Sequence, residues 1–195
     1  MKLTSLLGAT AALALVAGAA SAATTVIDFT TVAYGTNLSS IDGVSLSLFG
    51  GFASGSPRVG GFGYDLANSP TGSYPTADGI LFHFSAPVKN VSFTFDDYGY
   101  GNANSSAYAG ATLVSTNDLS GGAYASGHNN VVVSGTGITD LYVDNGWGSS
   151  RSWEYGIGSL TFSSSAPEPA AWALMMGGLG LLGGALRRRR VAVEA

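Results

Sequence analysis

Apolar and polar side chains alternate with a period of two through most of the chain between residues 23 and 165. Val44, Leu46 and Leu48 are separated by Ser45 and Ser47. Ile80, Phe82 and Phe84 interleave with Leu81, His83 and Ser85, and Val91, Phe93 and Phe95 with Ser92, Thr94 and Asp96. Leu141 and Val143 alternate with Tyr142 and Asp144, and Leu160 and Phe162 close the series before a serine run. Weaker runs cover residues 25–30, 111–115 and 130–134. Alternation of this kind turns one side of a strand to a core and the other to water. It predicts about eight strands, and no stretch holds a 3.6-residue apolar period for three turns. Sheets wet on one face bury the other against a second sheet. The expected fold is all-β, a single β-sandwich of jelly-roll type, with a β-barrel as the alternative.

The pattern changes at both ends. Lys2 precedes an apolar stretch over residues 3–16, and Ala20-Ser21-Ala22 is an A-x-A site, so the mature chain is expected to begin at Ala23. This N-terminal signal helix predicts signal peptidase as a partner. Near the other end, Pro167-Glu168-Pro169 leads into residues 170–186, which carry no charge, and then into Arg187, Arg188, Arg189 and Arg190. As a helix that run would reach about 25 Å, enough for a thin hydrocarbon core. The arginines would hold its end on the cytoplasmic side of the inner membrane. The expected organisation is a signal peptide at 1–22, a β domain at 23–165 and a transmembrane sorting segment at 166–195.

Pro-Glu-Pro, a glycine-rich apolar run with Trp172 near its start, and an arginine cluster, in that order, resemble the PEP-CTERM sorting signal. That resemblance implies an exported protein of a Gram-negative bacterium that makes exopolysaccharide. It also implies that an exosortase, a membrane cysteine protease, recognises Pro167, Glu168 and Pro169 and cuts near them. The middle of the chain resembles the jelly-roll domains common in such proteins: Ile27-Asp28-Phe29, Ile41-Asp42-Gly43-Val44, the series from Phe82 to Phe95, a strand starting at Gly137, and Leu160-Thr161-Phe162. An acidic pair often precedes the last strand of that pattern, where this chain has Gly158-Ser159.

Charge sharpens the picture. Charged residues make up 10 % of the chain, which has 29 glycines and no cysteine. Disulfides, thiolate metal sites and cysteine nucleophiles are thereby excluded. Three basic residues (Arg58, Lys89, Arg151) face ten acidic ones within 23–165, a net of −7. Such a domain repels nucleic acid.

Two acidic, aromatic segments follow strands directly. Asp96, Asp97, Asp144 and Asn145 offer the oxygen ligands that calcium takes, and Tyr98, Tyr100 and Trp147 offer flat rings for sugars. Asp and Asn are equally ordinary turn residues, and Trp is commonly a core residue. No zinc spacing or nucleophile elbow is present. The expected function is a non-enzymatic surface or matrix protein held near exopolysaccharide in a biofilm. A carbohydrate-binding module stabilised by calcium is the first alternative. A secreted hydrolase using His83 or His128 and a permanently anchored membrane protein are the others.

Overall fold

The computed structural model describes residues 22–60, 65–71, 76–97, 103–119, 129–144 and 155–165, with Met175 and residues 177–180. Its contacts divide the chain into two units, Ala22–Ala166 and a second made of Met1–Ser21 with Pro167–Ala195. In the second unit the described residues, Met175 and 177–180, are helical. No helix among the described residues is long and apolar enough to cross a membrane. The expected signal helix, and all but those five residues of the expected membrane segment, lie outside the described residues.

Apart from one 3-10 turn, the described residues of the first unit form β-strands and the links between them. Its described strands are β1 (Thr24–Asp28), β2 (Ser40–Ile41), β3 (Val44–Phe49), β4 (Arg58–Val59), β5 (Leu66–Ala67), β6 (Gly79–Asp97), β7 (Asn104–Ala109), β8 (Thr112–Asp118), β9 (Asn129–Asp144) and β10 (Tyr155–Ser164). A 3-10 turn, Phe29–Thr31, follows β1 and is capped by Asp28, whose Oδ1 accepts from Thr30 N at 3.0 Å. Every ladder is antiparallel, and together the ladders join the ten strands into one sheet network.

Two long strands organise that network. The first half of β6 pairs with β3 on one edge and with the second half of β9 on the other. Its second half pairs with β10 and with the first half of β9. Alternation alone made separate strands of 80–84 and 91–95, and of 130–134 and 141–143; in the structure each pair is one continuous strand. The parity of the buried positions shows how. Ile80, Phe82 and Phe84 are even-numbered, whereas Val91, Phe93 and Phe95 are odd. A period of two changes parity only where a residue is inserted, and Asn90, at φ 52°, lies at that point. Across the ladder Gly135 (φ 124°) and Gly137 (φ 72°) absorb the matching distortion. Pro87, which has no N–H to give, falls within the same irregular stretch.

The two ends of β6 meet across the core. Tyr155 pairs with Asp97 at the far end of β6, yet its hydroxyl accepts from Ile80 N at 2.9 Å and donates to Val143 O at 2.6 Å, at the near end. Aromatic contacts fill the space between: Phe29 with Phe82 at 6.4 Å, Phe84 with Phe162 at 5.1 Å, and Phe95 with Tyr155 at 5.3 Å. Complete burial of a Phe contributes about 1.5–3 kcal/mol, so this aromatic cluster is a main source of the domain's stability. The chain between β3 and β6 is tied down by Asn68, fully buried, which donates to Ala77 O at 2.8 Å and accepts from Tyr155 N at 3.1 Å. Such a buried amide is stable only because both its polar ends are paired.

Short-range chemistry sets the β2–β3 hairpin. Ile41 pairs with Val44, leaving Asp42 (φ 45°) and Gly43 (φ 80°) as a two-residue turn. Asp-Gly is a favoured pair for a turn with two positive φ angles.

Candidate functional site

The outward face of β3, β6, β9 and β7 carries a shallow groove of about 430 Å³, lined by Phe49, Tyr108, Tyr142, Asp140, Asp144, Asn104 and Ser106 among others. That volume lies within the range of about 300–1,000 Å³ typical of ligand sites. Strand parity assembles it. On β3 the even positions Val44, Leu46 and Leu48 are buried, which sends Phe49 outward; on β9 Leu141 and Val143 are buried, which sends Asp140, Tyr142 and Asp144 outward. On β7 the same rule turns Asn104, Ser106 and Tyr108 to that face.

Register then brings them together. Phe49 pairs with Gly79, Gly79 with Asp144, and Asp144 with Asn104. One row lower Tyr142 pairs with Ser106, and below that Asp140 with Tyr108. A β6 side chain would normally stand between Phe49 and the Tyr142 ring of β9. At Gly79 there is none, and a Cβ there would lie 2.5 Å from Phe49 Cζ and would run into the Val143 carbonyl oxygen. The Phe49 ring therefore reaches Tyr142, with centroids 5.3 Å apart and planes at 75°. Tyr142 meets Tyr108 in the same edge-on manner, at 5.5 Å and 77°. The three half-buried rings form a continuous aromatic wall.

The lower end of the groove is held by hydrogen bonds. Asp140 Oδ1 is 2.8 Å from His83 Nδ1, and its Oδ2 accepts from Thr139 Oγ1 at 2.6 Å. Thr139 Oγ1 in turn accepts from Gly110 N at 3.0 Å, which ties β9 to the turn between β7 and β8. The Asp140 carboxylate is thus fixed on both oxygens.

The sequence-derived site residues fall in several places. Ala22 and Ala23 immediately precede β1, and Ala23 O accepts from Ser164 N at 3.2 Å; Ala20 lies outside the described residues. Asp96 pairs with Gly156 near one end of β6, and Asp144 with Gly79 at the other end of that strand; Tyr155 shows that these ends sit opposite each other. No group of three His, Cys, Asp or Glu residues among the described ones is placed to hold a metal ion. Asp97 is described only as strand backbone, while Asn145, Tyr98, Tyr100, Trp147 and His128 lie outside the described residues, as do Pro167, Glu168, Pro169 and Arg187 to Arg190. At Gly158-Ser159, where the resembled pattern has acids, β10 bulges and Thr94 Oγ1 accepts from Ser159 N at 2.7 Å.

His83 does face outward, with its side chain 56 % exposed. Ser45 and Asp140 flank it in register on the neighbouring strands, but no hydrogen bond joins Ser45 to His83. Asp140 and Asp144 share a face four residues apart, or about 13 Å along the strand. Paired glycosidase carboxylates stand about 5–9.5 Å apart, so these two do not form such a pair. The groove rings were not picked out from the sequence. Their signal was present: Phe49, Tyr108 and Tyr142 occupy outward positions, where neighbours such as Ser45, Ser47 and Ser106 are small and polar.

Comparison with known families places the chain's address. The family described as a PEP-CTERM protein-sorting motif matches residues 165–190. The chain thus carries a PEP-CTERM sorting segment, which marks it as an exported protein, made as a membrane-anchored precursor and processed by exosortase. No curated protein matches the chain.

Proposed function

We propose that this protein is a non-catalytic surface or matrix component, released from its anchor by the sorting protease and held near exopolysaccharide through its β domain. The observation that carries the reading is the sorting motif at 165–190, which follows within one residue of the end of β10 at Ser164. The whole described β domain is then the passenger that sorting delivers. We read its sheet network as a β-sandwich of jelly-roll kind; the parity switch at Asn90 and the reach of the Tyr155 hydroxyl from one end of β6 to the other support that reading. Signal peptidase would cut after Ala22, immediately ahead of β1.

Intact mass of the protein recovered from cell surface and medium tests the sorting step, with a strain lacking the sorting protease beside it. Loss of the residues beyond about Pro167 in the wild type, and their retention in the deletion strain, is the expected result. A tail ending at Ala195 in both strains overturns it.

A second reading, a carbohydrate-binding module, is favoured by the aromatic groove. Rings held on strands and bordered by carboxylate, amide and hydroxyl groups are suited to binding sugars, and they require no catalytic constellation.

A further inference from the structure

We infer that the groove over β3, β6, β9 and β7 binds an uncharged polysaccharide chain, with sugar rings seated against Tyr142 and Tyr108. This rests on the reading of the β domain as a module retained by exopolysaccharide, and it names the site and the class of glycan.

Three observations carry it. The first is the aromatic wall itself. Outward positions of a wetted sheet are ordinarily small or polar, yet here three rings stand edge to face in one half-buried row. Rings left partly in water gain free energy when a second apolar surface covers them. A pyranose presents such a surface on the C–H face of its ring while keeping its hydroxyls at the rim.

The second is the polar border. Asp140, Asp144, Asn104 and Ser106 line the same depression. Carboxylates only accept, whereas an amide and a hydroxyl do both. Sugar hydroxyls can serve all of them, and hydrogen bonds to a carboxylate are roughly twice as strong as neutral ones. Asp140 is already aimed by His83 and Thr139, so no freedom need be lost there on binding.

The third is charge. Among the described residues no lysine or arginine lines the groove, two aspartates do, and the surrounding domain carries a net of −7. Uronate, sulfate or phosphate groups would meet like charge and, among the described residues, no lysine or arginine to pair with. The ligand is therefore a neutral chain.

The test is native gel electrophoresis of the full chain in non-ionic detergent, through gels containing a neutral β-glucan, a galactomannan, a dextran or polygalacturonate. EDTA is present throughout, so that no divalent cation bridges carboxylates. At least one neutral polymer is expected to retard the protein and polygalacturonate is not. Tyr142→Ala and Tyr108→Ala should each weaken binding about tenfold or more, and Tyr142→Phe much less. Thermal unfolding of each variant shows that the fold is kept, and the Tyr108 variant serves if the Tyr142 one does not fold. Retardation only by polygalacturonate, by none of the neutral polymers, or equally in wild type and both alanine variants overturns the proposal. Exopolysaccharide extracted from the producing cells separates the two readings. If it retards wild type and alanine variants alike, the groove assignment fails and retention stands; if it retards neither, retention fails as well.

Discussion

Phe49 lies against Gly79 on the neighbouring strand, and the missing side chain of Gly79 is what lets its ring touch Tyr142. The contact skips a strand: β6 lies between β3 and β9, and only a glycine leaves the passage open. Gly79→Ala would push a methyl group against the Val143 carbonyl oxygen and the Phe49 ring. Overpacking of this kind costs about 1–3 kcal/mol. The expected outcome is a lower urea midpoint with an unchanged slope. An unshifted midpoint would show that the ladder makes room without cost.

Tyr155 supplies the second test. Its hydroxyl bridges Ile80 N and Val143 O, two groups facing each other in a buried ladder. Tyr155→Phe keeps the ring beside Phe95 but strands a donor and an acceptor away from water. That is expected to cost about 1–3 kcal/mol, measured by chemical denaturation. A loss within error of zero would mean that the two strands close up and pair directly.

At Asn90 the backbone takes φ 52°, a conformation suited to Gly or Asn. Asn90→Gly should leave the thermal midpoint nearly unchanged. Asn90→Val should destabilise by about 1–2 kcal/mol, since a β-branched side chain meets the following carbonyl in that region. Equal midpoints for the two variants would contradict the role given to Asn90 as the residue that switches parity in β6.

For the tail, Glu168→Ala combined with Pro167→Ala is expected to leave the precursor uncut. Mass spectrometry of membrane fractions should then find the intact C-terminus accumulating, while the β domain unfolds at the wild-type temperature. Normal processing of this double variant would show that recognition lies elsewhere in the segment.

The alternation at Val44 to Leu48, Ile80 to Phe84 and Leu160 to Phe162 read directly as strands, because each spans enough residues for a period of two to stand out. Strands β4 and β5 are two residues each and hold no period to detect. The continuity of β6 is not legible in the local pattern, which Pro87 interrupts, although the parity change between Phe84 and Val91 is written in the residues. The groove was hidden for a different reason. Tyr142 on its own is just the wet position between Leu141 and Val143. Its partnership with Phe49 and Tyr108 depends on the register of four strands drawn from distant parts of the chain, and local pattern carries no register.

The strand that runs into the sorting segment is an interior one, with β6 along one edge and β1 and β5 along the other. Any pull exerted through the C-terminus, while the chain is still tethered or held by the protease, enters the domain along β10. The load is shared between hydrogen bonds on both flanks, which are strained in shear along the strand. A tether joined to a border strand such as β8 would open its ladder one bond at a time, like a zip. Attached through β10, the domain resists traction as a unit.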